Sequence, residues 1–185
     1  MQIQAGTSAP LFQASDLAGH TVDLAVYAGQ PVLLAFFRNA ACALCNLRVR
    51  NLIKAYPDLQ RRGLAIVAVF ESPRERMLDY VGRQAAPFPL IADPQARLYD
   101  LYGVESSAAK IEQSMALPET HATVQAAAAH GFALIPEEGS NFNRLPAEFL
   151  IGTDGSIQVA HYAAHVTDHL DLEDITAHLE LNAAA

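Results

Sequence analysis

The chain has 185 residues, 51% of them apolar, and carries 12 Lys and Arg against 20 Asp and Glu, a formal net charge of −8. This length predicts a single domain over residues 1–185 with one sizeable core. The acidic balance argues against nucleic acid and anionic membrane surfaces as partners, since both bind clustered Lys and Arg. The apolar runs are far shorter than the roughly 20 residues of a membrane-spanning helix, so no membrane is expected.

The N-terminal residues and the cysteine count together predict a compartment. Residues 1–6 show neither the basic nor the apolar region of a signal peptide, so we expect a cytoplasmic protein. The chain has only two cysteines, which is too few for a disulfide scaffold. In a reducing compartment, a close pair of cysteines is more often catalytic, redox-active or metal-binding than structural.

The first half of the chain alternates predicted strands and helices. Apolar and polar residues alternate over 10–24, around Gly19, which predicts a β-hairpin. Residues 32–37 and 64–70 are continuous apolar runs, typical of strands buried on both faces. Between them, residues 42–62 repeat apolar side chains every third or fourth position, which predicts a helix ended by Gly63.

The same rhythm continues to residue 103. Ser72 is predicted to cap a helix that has Pro73 at its first position and ends near residue 82. Residues 87–93 predict a short strand and residues 94–102 a short helix. Strands separated by helices in this order predict an α/β protein with a parallel core and right-handed crossovers.

Residues 105–143 break that rhythm. The segment is rich in Ala, contains two prolines and lacks strand periodicity, so we predict a helical insertion with a loop at its end. It either covers the cysteine pair or forms the contact of a homodimer. After it, residues 148–160 predict a second hairpin around a Thr-Asp-Gly turn, and residues 171–181 an amphipathic helix.

The cysteines lie at the junction between a predicted strand and a predicted helix, in the sequence Cys42-Ala-Leu-Cys45. A thiolate in the first turn of a helix faces unpaired N–H groups and the positive end of the helix dipole. Such thiols have pKa values of roughly 3.5 to 7.5, against about 8.5 for a free cysteine. The pattern favours a redox pair in which Cys42 attacks and Cys45 resolves the mixed disulfide.

Other interpretations of these residues remain open. The thiols can be inert and buried, or can form half of a zinc site, although no second ligand pair stands near them in sequence.

His161, His165 and His169 recur at every fourth position, but the segment runs from a strand end into a loop. Solvated or locally hydrogen-bonded histidines are therefore favoured over a metal site, and no cofactor is predicted.

Several segments resemble a known family. Residues 31–38 before the cysteines, residues 88–94 with the later Tyr-Gly-Val at 102–104, and residues 149–157 are similar to peroxiredoxins of the alkyl hydroperoxide reductase/thiol-specific antioxidant family. The resemblance implies a thioredoxin-like fold, with a central mixed sheet flanked by helices, an N-terminal hairpin and an insertion before the last hairpin. It also implies a thiol-dependent oxidoreductase.

The resemblance carries over to the site only in part. It aligns Cys45 with the peroxidatic cysteine, Arg38 with the family's proline and Cys42 with its threonine. A further family arginine falls on Pro146, where thioredoxins have a cis-proline beside the cysteine pair. We therefore expect a cis peptide bond before Pro146, the alternative being a trans proline at a strand entrance. We expect Arg38 and Arg144 to flank the site, where they either stabilise a thiolate or a peroxide or are solvated surface residues.

The expected activity is the reduction of peroxides or disulfides as Cys42 and Cys45 cycle between dithiol and disulfide. If peroxide is the substrate, the alignment implies that Cys45 forms the sulfenic acid and Cys42 resolves it. The expected electron donor is a thiol of the thioredoxin or glutaredoxin kind. The alternatives are a thiol-disulfide oxidoreductase without peroxidase activity and a non-enzymatic metal-binding module.

Overall fold

A computed structural model describes residues 1–135 and 139–183, and its centre is a mixed β-sheet. The strand order is β5-β4-β3-β6-β7; β3, β4 and β5 run parallel, and β6 and β7 are antiparallel to their neighbours. A separate antiparallel pair, β1 and β2, forms the N-terminal hairpin. The strands are β1 Gln13–Ser15, β2 Thr21–Asp23, β3 Val32–Phe37, β4 Ala65–Phe70, β5 Leu90–Ala92, β6 Ala147–Ile151 and β7 Ile157–Tyr162.

The helices flank this sheet on both faces. They are α1 Ala43–Arg61, α2 Arg74–Asp79, α3 Arg97–Tyr102, α4 Ala108–Met115, α5 Pro118–Ala129 and α6 Leu172–Ala183, with 3-10 turns at Leu24–Tyr27 and Val81–Gln84. The mixed α/β architecture predicted from the sequence is therefore confirmed.

Strand β3 shows why the sheet is covered on both sides. All six of its residues are buried. Leu33, Ala35 and Phe37 belong to the core cluster that contains both cysteines. The alternate residues of β3 pack in a second cluster with Tyr99 and Tyr102 of α3. Because successive side chains of a strand point to opposite faces, this continuous apolar run needs a helix layer on each side.

The start of α2 differs from the prediction. Pro73, and not Ser72, is the N-cap residue, and no side chain caps the helix. The Ser72 hydroxyl instead accepts a hydrogen bond from the Ala40 N–H at 2.9 Å. Local capping preferences predicted Ser72 as the N-cap residue of α2. Its oxygen instead binds a buried N–H in the loop before α1, because buried donors need partners.

The segment 105–143 is helical over α4 and α5, as the sequence predicts, and its reading as an insertion remains a prediction. Helix α5 packs against α1. Ala127 of α5 lies in one buried cluster with Ala43 and Leu47, which are in the first turns of α1. The segment therefore lies against the part of α1 that carries the cysteines.

Within the described residues, no helix is both long and apolar enough to cross a membrane.

Candidate active site

Cys42 is the N-cap residue of α1, directly after the loop that leaves strand β3. Its backbone is extended, and its sulfur accepts a hydrogen bond from the Cys45 N–H at 3.3 Å. A sulfur at this position faces the free N–H groups of a 19-residue helix. The predicted strand-to-helix junction is confirmed, and it sets the charge state of the thiol.

The pKa of Cys42 is lowered to about 6. A hydrogen bond from the Cys45 side chain contributes most, and the charge of Arg38 and the N–H groups of Cys45 and Leu44 add to it. Burial opposes the shift but is outweighed. Cys42 is therefore a thiolate at neutral pH, which is the nucleophilic form.

Cys45 has the opposite charge preference. Burial raises its pKa well above the usual value, and the hydrogen bond to Cys42 and the negative charge of that thiolate raise it further. A protonated Cys45 thiol can donate to the Cys42 sulfur and later supply the second sulfur of a disulfide. The two cysteines are both unpaired thiols in this structure.

This asymmetry can be measured by titration. The ultraviolet absorbance of the thiolate should rise with pH through a midpoint of about 6, and the Cys42→Ser variant should lose this transition. In this variant the Cys42 thiolate no longer raises the pKa of Cys45, but burial still does, so the Cys45 thiolate should form only at alkaline pH. A neutral-range transition that survives in Cys42→Ser and disappears in Cys45→Ser would contradict the assignment.

Buried polar groups fix the loop before α1. The Asn46 side chain donates to the carbonyls of Ala40 and Cys42 at 2.8 and 2.9 Å. The Gln84 side chain in turn donates to the Asn46 side-chain oxygen at 3.0 Å. The first two hydrogen bonds join the loop to α1, and the third joins α1 to the 3-10 turn Val81–Gln84, so Cys42 is held in place before any substrate arrives.

A cavity of about 390 Å³ opens onto Cys42. Cys42 lines it, whereas Cys45 is not among the lining residues. The walls are largely apolar, with three polar side chains, and include side chains from the segment 105–143. Besides Cys42, the lining residues are Arg38, Asn39, Ala41, Ala43, Leu44, Met115, Val124, Leu134, Ile135, Ser140 and Phe142. A substrate in this cavity meets the Cys42 sulfur first.

Arg38 is the cation of this cavity. It is buried, its Nη2 donates to the Phe142 carbonyl at 2.7 Å, and its guanidinium lies 4.7 Å from the centre of the Phe142 ring. Its Nε is buried and has no hydrogen-bond partner within the part of the chain that the structure describes. The predicted place of Arg38 beside the thiols is supported by the effect of its charge on both cysteines.

Comparison with known proteins gives a consistent result. The model of the AhpC/TSA family matches residues 5–160. The chain belongs to the AhpC/TSA family.

Individual relatives of this AhpC/TSA protein carry related names. A Mycobacterium tuberculosis protein assigned to the peroxiredoxins is 25% identical over 165 residues, which is 89% of this chain and 88% of that relative. The thiol-disulfide oxidoreductase ResA of Geobacillus thermodenitrificans is 31% identical over 103 residues, 55% of this chain and 59% of the relative. Together with the paired thiols, these relatives identify the chain as a thiol-dependent oxidoreductase.

Solved structures of similar fold support the same family architecture. The crystal structure of peroxidoxin BcpB from Mycobacterium tuberculosis has a TM-score of 0.67 and 15% sequence identity, and the match covers 99% of this chain and 98% of the other. At this identity the match shows the fold. The thioredoxin-like fold implied by the sequence resemblance is therefore confirmed.

Arg144 is the second arginine predicted to flank the site of this AhpC/TSA protein. Its partners differ from those of Arg38. Its Nε donates to the Glu71 carboxylate at 2.6 Å and its Nη1 donates to the Val104 carbonyl. Its guanidinium also lies 4.8 Å from the centre of the Tyr99 ring. These contacts tie Arg144 into a buried network at the ends of the strands, and its role in the chemistry stays a prediction.

The expectation of a cis peptide bond before Pro146 is wrong. The described residues contain no cis peptide bond, so the Leu145–Pro146 bond is trans. Leu145 donates its N–H to the Glu105 carbonyl at 3.1 Å, and the Pro146 carbonyl accepts from the Ala163 N–H at 3.2 Å. Both groups are satisfied with the trans isomer, which is also the preferred one for a proline.

The three histidines each have a different partner. His161 lies 2.9 Å from the Asp168 carboxylate, His165 is 3.0 Å from the Thr167 hydroxyl, and His169 is 3.1 Å from the Glu148 carboxylate. Over residues 1–135 and 139–183, no group of three or more His, Cys, Asp or Glu side chains is arranged to hold a metal ion.

Sequence reasoning missed the polar side chains that hold the loop and the aromatic wall of the cavity. Asn46 carried a usable signal, since it is the polar residue in the otherwise apolar first turn of the helix, four positions after Cys42. Phe142 carried none, because a loop residue 100 positions after the thiols contacts Arg38 only through tertiary folding.

Proposed function

We propose that this protein reduces peroxides, with Cys42 as the attacking thiolate and Cys45 as the resolving thiol. The observation that carries the proposal is the pairing of two groups in one cavity. Cys42 and Arg38 both line it, and Arg38 holds a buried Nε–H donor without a partner in the described chain. A thiolate with an adjacent free donor suits a substrate whose bond cleavage leaves an oxyanion.

The reaction proceeds in two balanced steps. The Cys42 thiolate attacks one oxygen of the O–O bond, the bond breaks, and the other oxygen leaves as an alkoxide or hydroxide that takes up a proton. Cys42 becomes a sulfenic acid, and the peroxide is reduced by two electrons. The Cys45 thiol then attacks the Cys42 sulfur, water leaves, and a disulfide forms, which a thiol donor must reduce.

Arg38 would act on the first step. The Arg38 charge favours the Cys42 thiolate, and its Nε–H can donate to the departing oxygen. The chain departs here from the family pattern, in which the resemblance implies a threonine at position 42 and a second arginine at position 146. We infer that Arg38 takes over part of the task of those side chains.

The test compares Arg38→Met with Arg97→Met, a change at an exposed arginine outside the site. Arg38→Met should slow the reaction of reduced protein with hydroperoxide by about 100-fold, the usual effect of losing one donor to a developing oxyanion. Alkylation of Arg38→Met by iodoacetamide, which needs only the thiolate, should slow much less than the peroxide reaction. Under alkaline conditions the alkylation rate should recover to that of the wild type. Equal losses in both reactions would show that Arg38 acts only on the thiolate pKa.

Reduction of disulfides is the second candidate. It is favoured by the similarity to ResA over 103 residues and by the order of the thiols, with an N-cap thiolate and a buried partner. If peroxide reacts no faster with Cys42 than with free cysteine, while the Cys45→Ser variant captures a disulfide substrate as a stable mixed disulfide, this candidate replaces the first. A cytoplasmic location, a homodimer and a protein donor such as thioredoxin or glutaredoxin remain predictions.

A further inference from the structure

A second cavity, of about 540 Å³, lies next to the one that opens onto Cys42. The two cavities share Ala41 and Ile135 as lining residues, so they adjoin each other. The second cavity runs beside α1 and the 3-10 turn Val81–Gln84, and the polypeptide after α5 closes its other side. A molecule bound there would have one end close to the thiol cavity.

The second cavity collects positive charge that has no protein partner. Of the Lys and Arg side chains in the described chain, those of Arg50, Lys54, Arg83 and Arg97 make no hydrogen bond or ion pair, whereas the others do. Arg50, Lys54 and Arg83 all line this cavity. In a chain of net charge −8, such a concentration of free cations points to an anionic ligand.

Arg50 gives a second, independent indication. Its Nε is buried and has no hydrogen-bond partner among the described residues. A buried donor of a charged group is costly to leave unsatisfied, and an incoming carboxylate would satisfy it. Arg50 is also correctly placed along the helix, since Asn46, Arg50 and Lys54 follow Cys42 at intervals of four residues. At 1.5 Å per residue, Arg50 stands about 12 Å along the axis from Cys42.

One carboxylate, Asp79, lines the cavity beside these cations. The set of groups matches a ligand with more than one negative charge and a single positive charge. We infer that this cavity binds a low-molecular-weight thiol that carries two carboxylates and one ammonium group, as glutathione does, and that this thiol reduces the Cys42–Cys45 disulfide. The inference rests on the proposed function, because it names the electron donor of that reaction.

The reduction balances with two molecules of the thiol. The first thiolate attacks the Cys42 sulfur from the adjoining cavity, the Cys42–Cys45 bond breaks, and Cys45 leaves and takes up a proton. A second thiolate attacks the ligand sulfur of the mixed disulfide, and Cys42 leaves as a thiolate. Two thiols are oxidised to one disulfide, and the protein disulfide gains two electrons and returns to the dithiol.

The test measures peroxide turnover with two reductants, glutathione and the uncharged dithiothreitol. Lys54→Glu and Arg83→Glu change exposed side chains, and Arg97→Glu is the matched control, since it makes the same charge change at an exposed, unpaired arginine outside the cavity. Each of the first two variants should raise the KM for glutathione about 10-fold, the loss expected for one charge-assisted hydrogen bond. In both variants the turnover with dithiothreitol should stay unchanged. In Arg97→Glu the turnover with either reductant should stay unchanged.

The role of Asp79 is tested with a second ligand. Asp79→Asn should weaken the use of glutathione but not that of mercaptosuccinate, which has two carboxylates and a thiol but no ammonium group. Equal effects on both thiols would show that the cavity does not recognise the ammonium group.

A binding measurement separates this inference from the proposed function. S-methylglutathione has no reactive thiol, so its binding to the reduced protein, followed by calorimetry, does not depend on redox chemistry. If S-methylglutathione binds and both Arg50→Gln and Lys54→Glu weaken its binding, the site is supported even when peroxide turnover fails with both reductants. In that case only the proposed function is contradicted. Absence of binding, or equal weakening by Arg97→Glu, overturns the inference even if dithiothreitol supports full turnover.

Discussion

Replacing Cys42 by serine should remove nearly all thiol reactivity at neutral pH. With a pKa of about 6, Cys42 is mostly thiolate there, whereas burial raises the pKa of Cys45 and keeps that sulfur protonated. The expected loss in the rate of alkylation by iodoacetamide, and in the rate of reaction with hydroperoxide, is therefore roughly 100-fold or more. Stopped-flow kinetics of the reduced variant measure both.

Cys45→Ser is the matched variant, since it removes the other sulfur of the pair. It should still react with peroxide, and it should accumulate a sulfenic acid on Cys42 that dimedone traps, because no resolving thiol remains. The opposite pattern, with a trapped sulfenic acid on Cys45 in the Cys42→Ser variant, would restore the assignment implied by the family alignment. The experiment therefore decides between the geometric and the alignment-based roles.

Replacing Arg48 by methionine should destabilise the fold by about 3–5 kcal/mol, because it leaves a buried carboxylate without its cation. Glu148 of β6 is almost fully buried, and Arg48 of α1 holds both of its oxygens, at 3.0 and 2.9 Å. His169 and the Leu170 N–H complete its hydrogen bonds, at 3.1 and 2.8 Å. Urea unfolding of the reduced protein measures the loss.

The pH dependence follows from the carboxyl group. Burial by itself raises the pKa of Glu148, but the charges of Arg48 and His169 and their hydrogen bonds outweigh it and lower the pKa to about 2. The ordinary pKa of a glutamate side chain is 4.5, so the stabilisation by Glu148 is complete above that pH and is lost as the pH falls towards 2. The difference between wild type and Arg48→Met should therefore be largest at neutral pH and should shrink in acid.

A double variant provides the control. Arg48→Met combined with Glu148→Met removes both charges and should recover most of the lost stability, since well-packed apolar pairs often replace buried ion pairs without loss. If the double variant were as unstable as Arg48→Met, the loss would come from the packing of α1 on the sheet and not from the unpaired carboxylate.

Local patterns were sufficient where a segment's own residues decide its conformation. The run of β3 was predicted with its observed bounds, Val32–Phe37, because a continuous apolar run of strand length is typical of a sheet covered on both faces. The redox pair was predicted from its position at the start of α1, since the helix N-terminus acts on any thiol placed there.

Predictions failed where distant groups compete for one residue. Ser72 was predicted as a helix cap, but the N–H of Ala40, in the loop before α1, takes its hydroxyl. Arg144 contacts Glu71, a residue far from it in sequence, and its expected role beside the thiols stays a prediction. Neither partner can be recognised from the neighbouring sequence.

The sequence by itself determined the order of strands and helices and the two sulfurs at the strand-to-helix junction, because these depend on periodicity and on the field of one helix. The fold family was implied by the resemblance of several segments to peroxiredoxins. Only the tertiary structure decided which sulfur faces a substrate. Cys42 lines the cavity and is ionised, while Cys45 is buried beside it and protonated. Burial is the largest cause of the raised pKa of Cys45, whereas in Cys42 the hydrogen bond from the Cys45 side chain outweighs it. Burial is a property of the packed chain and not of the Cys-x-x-Cys spacing.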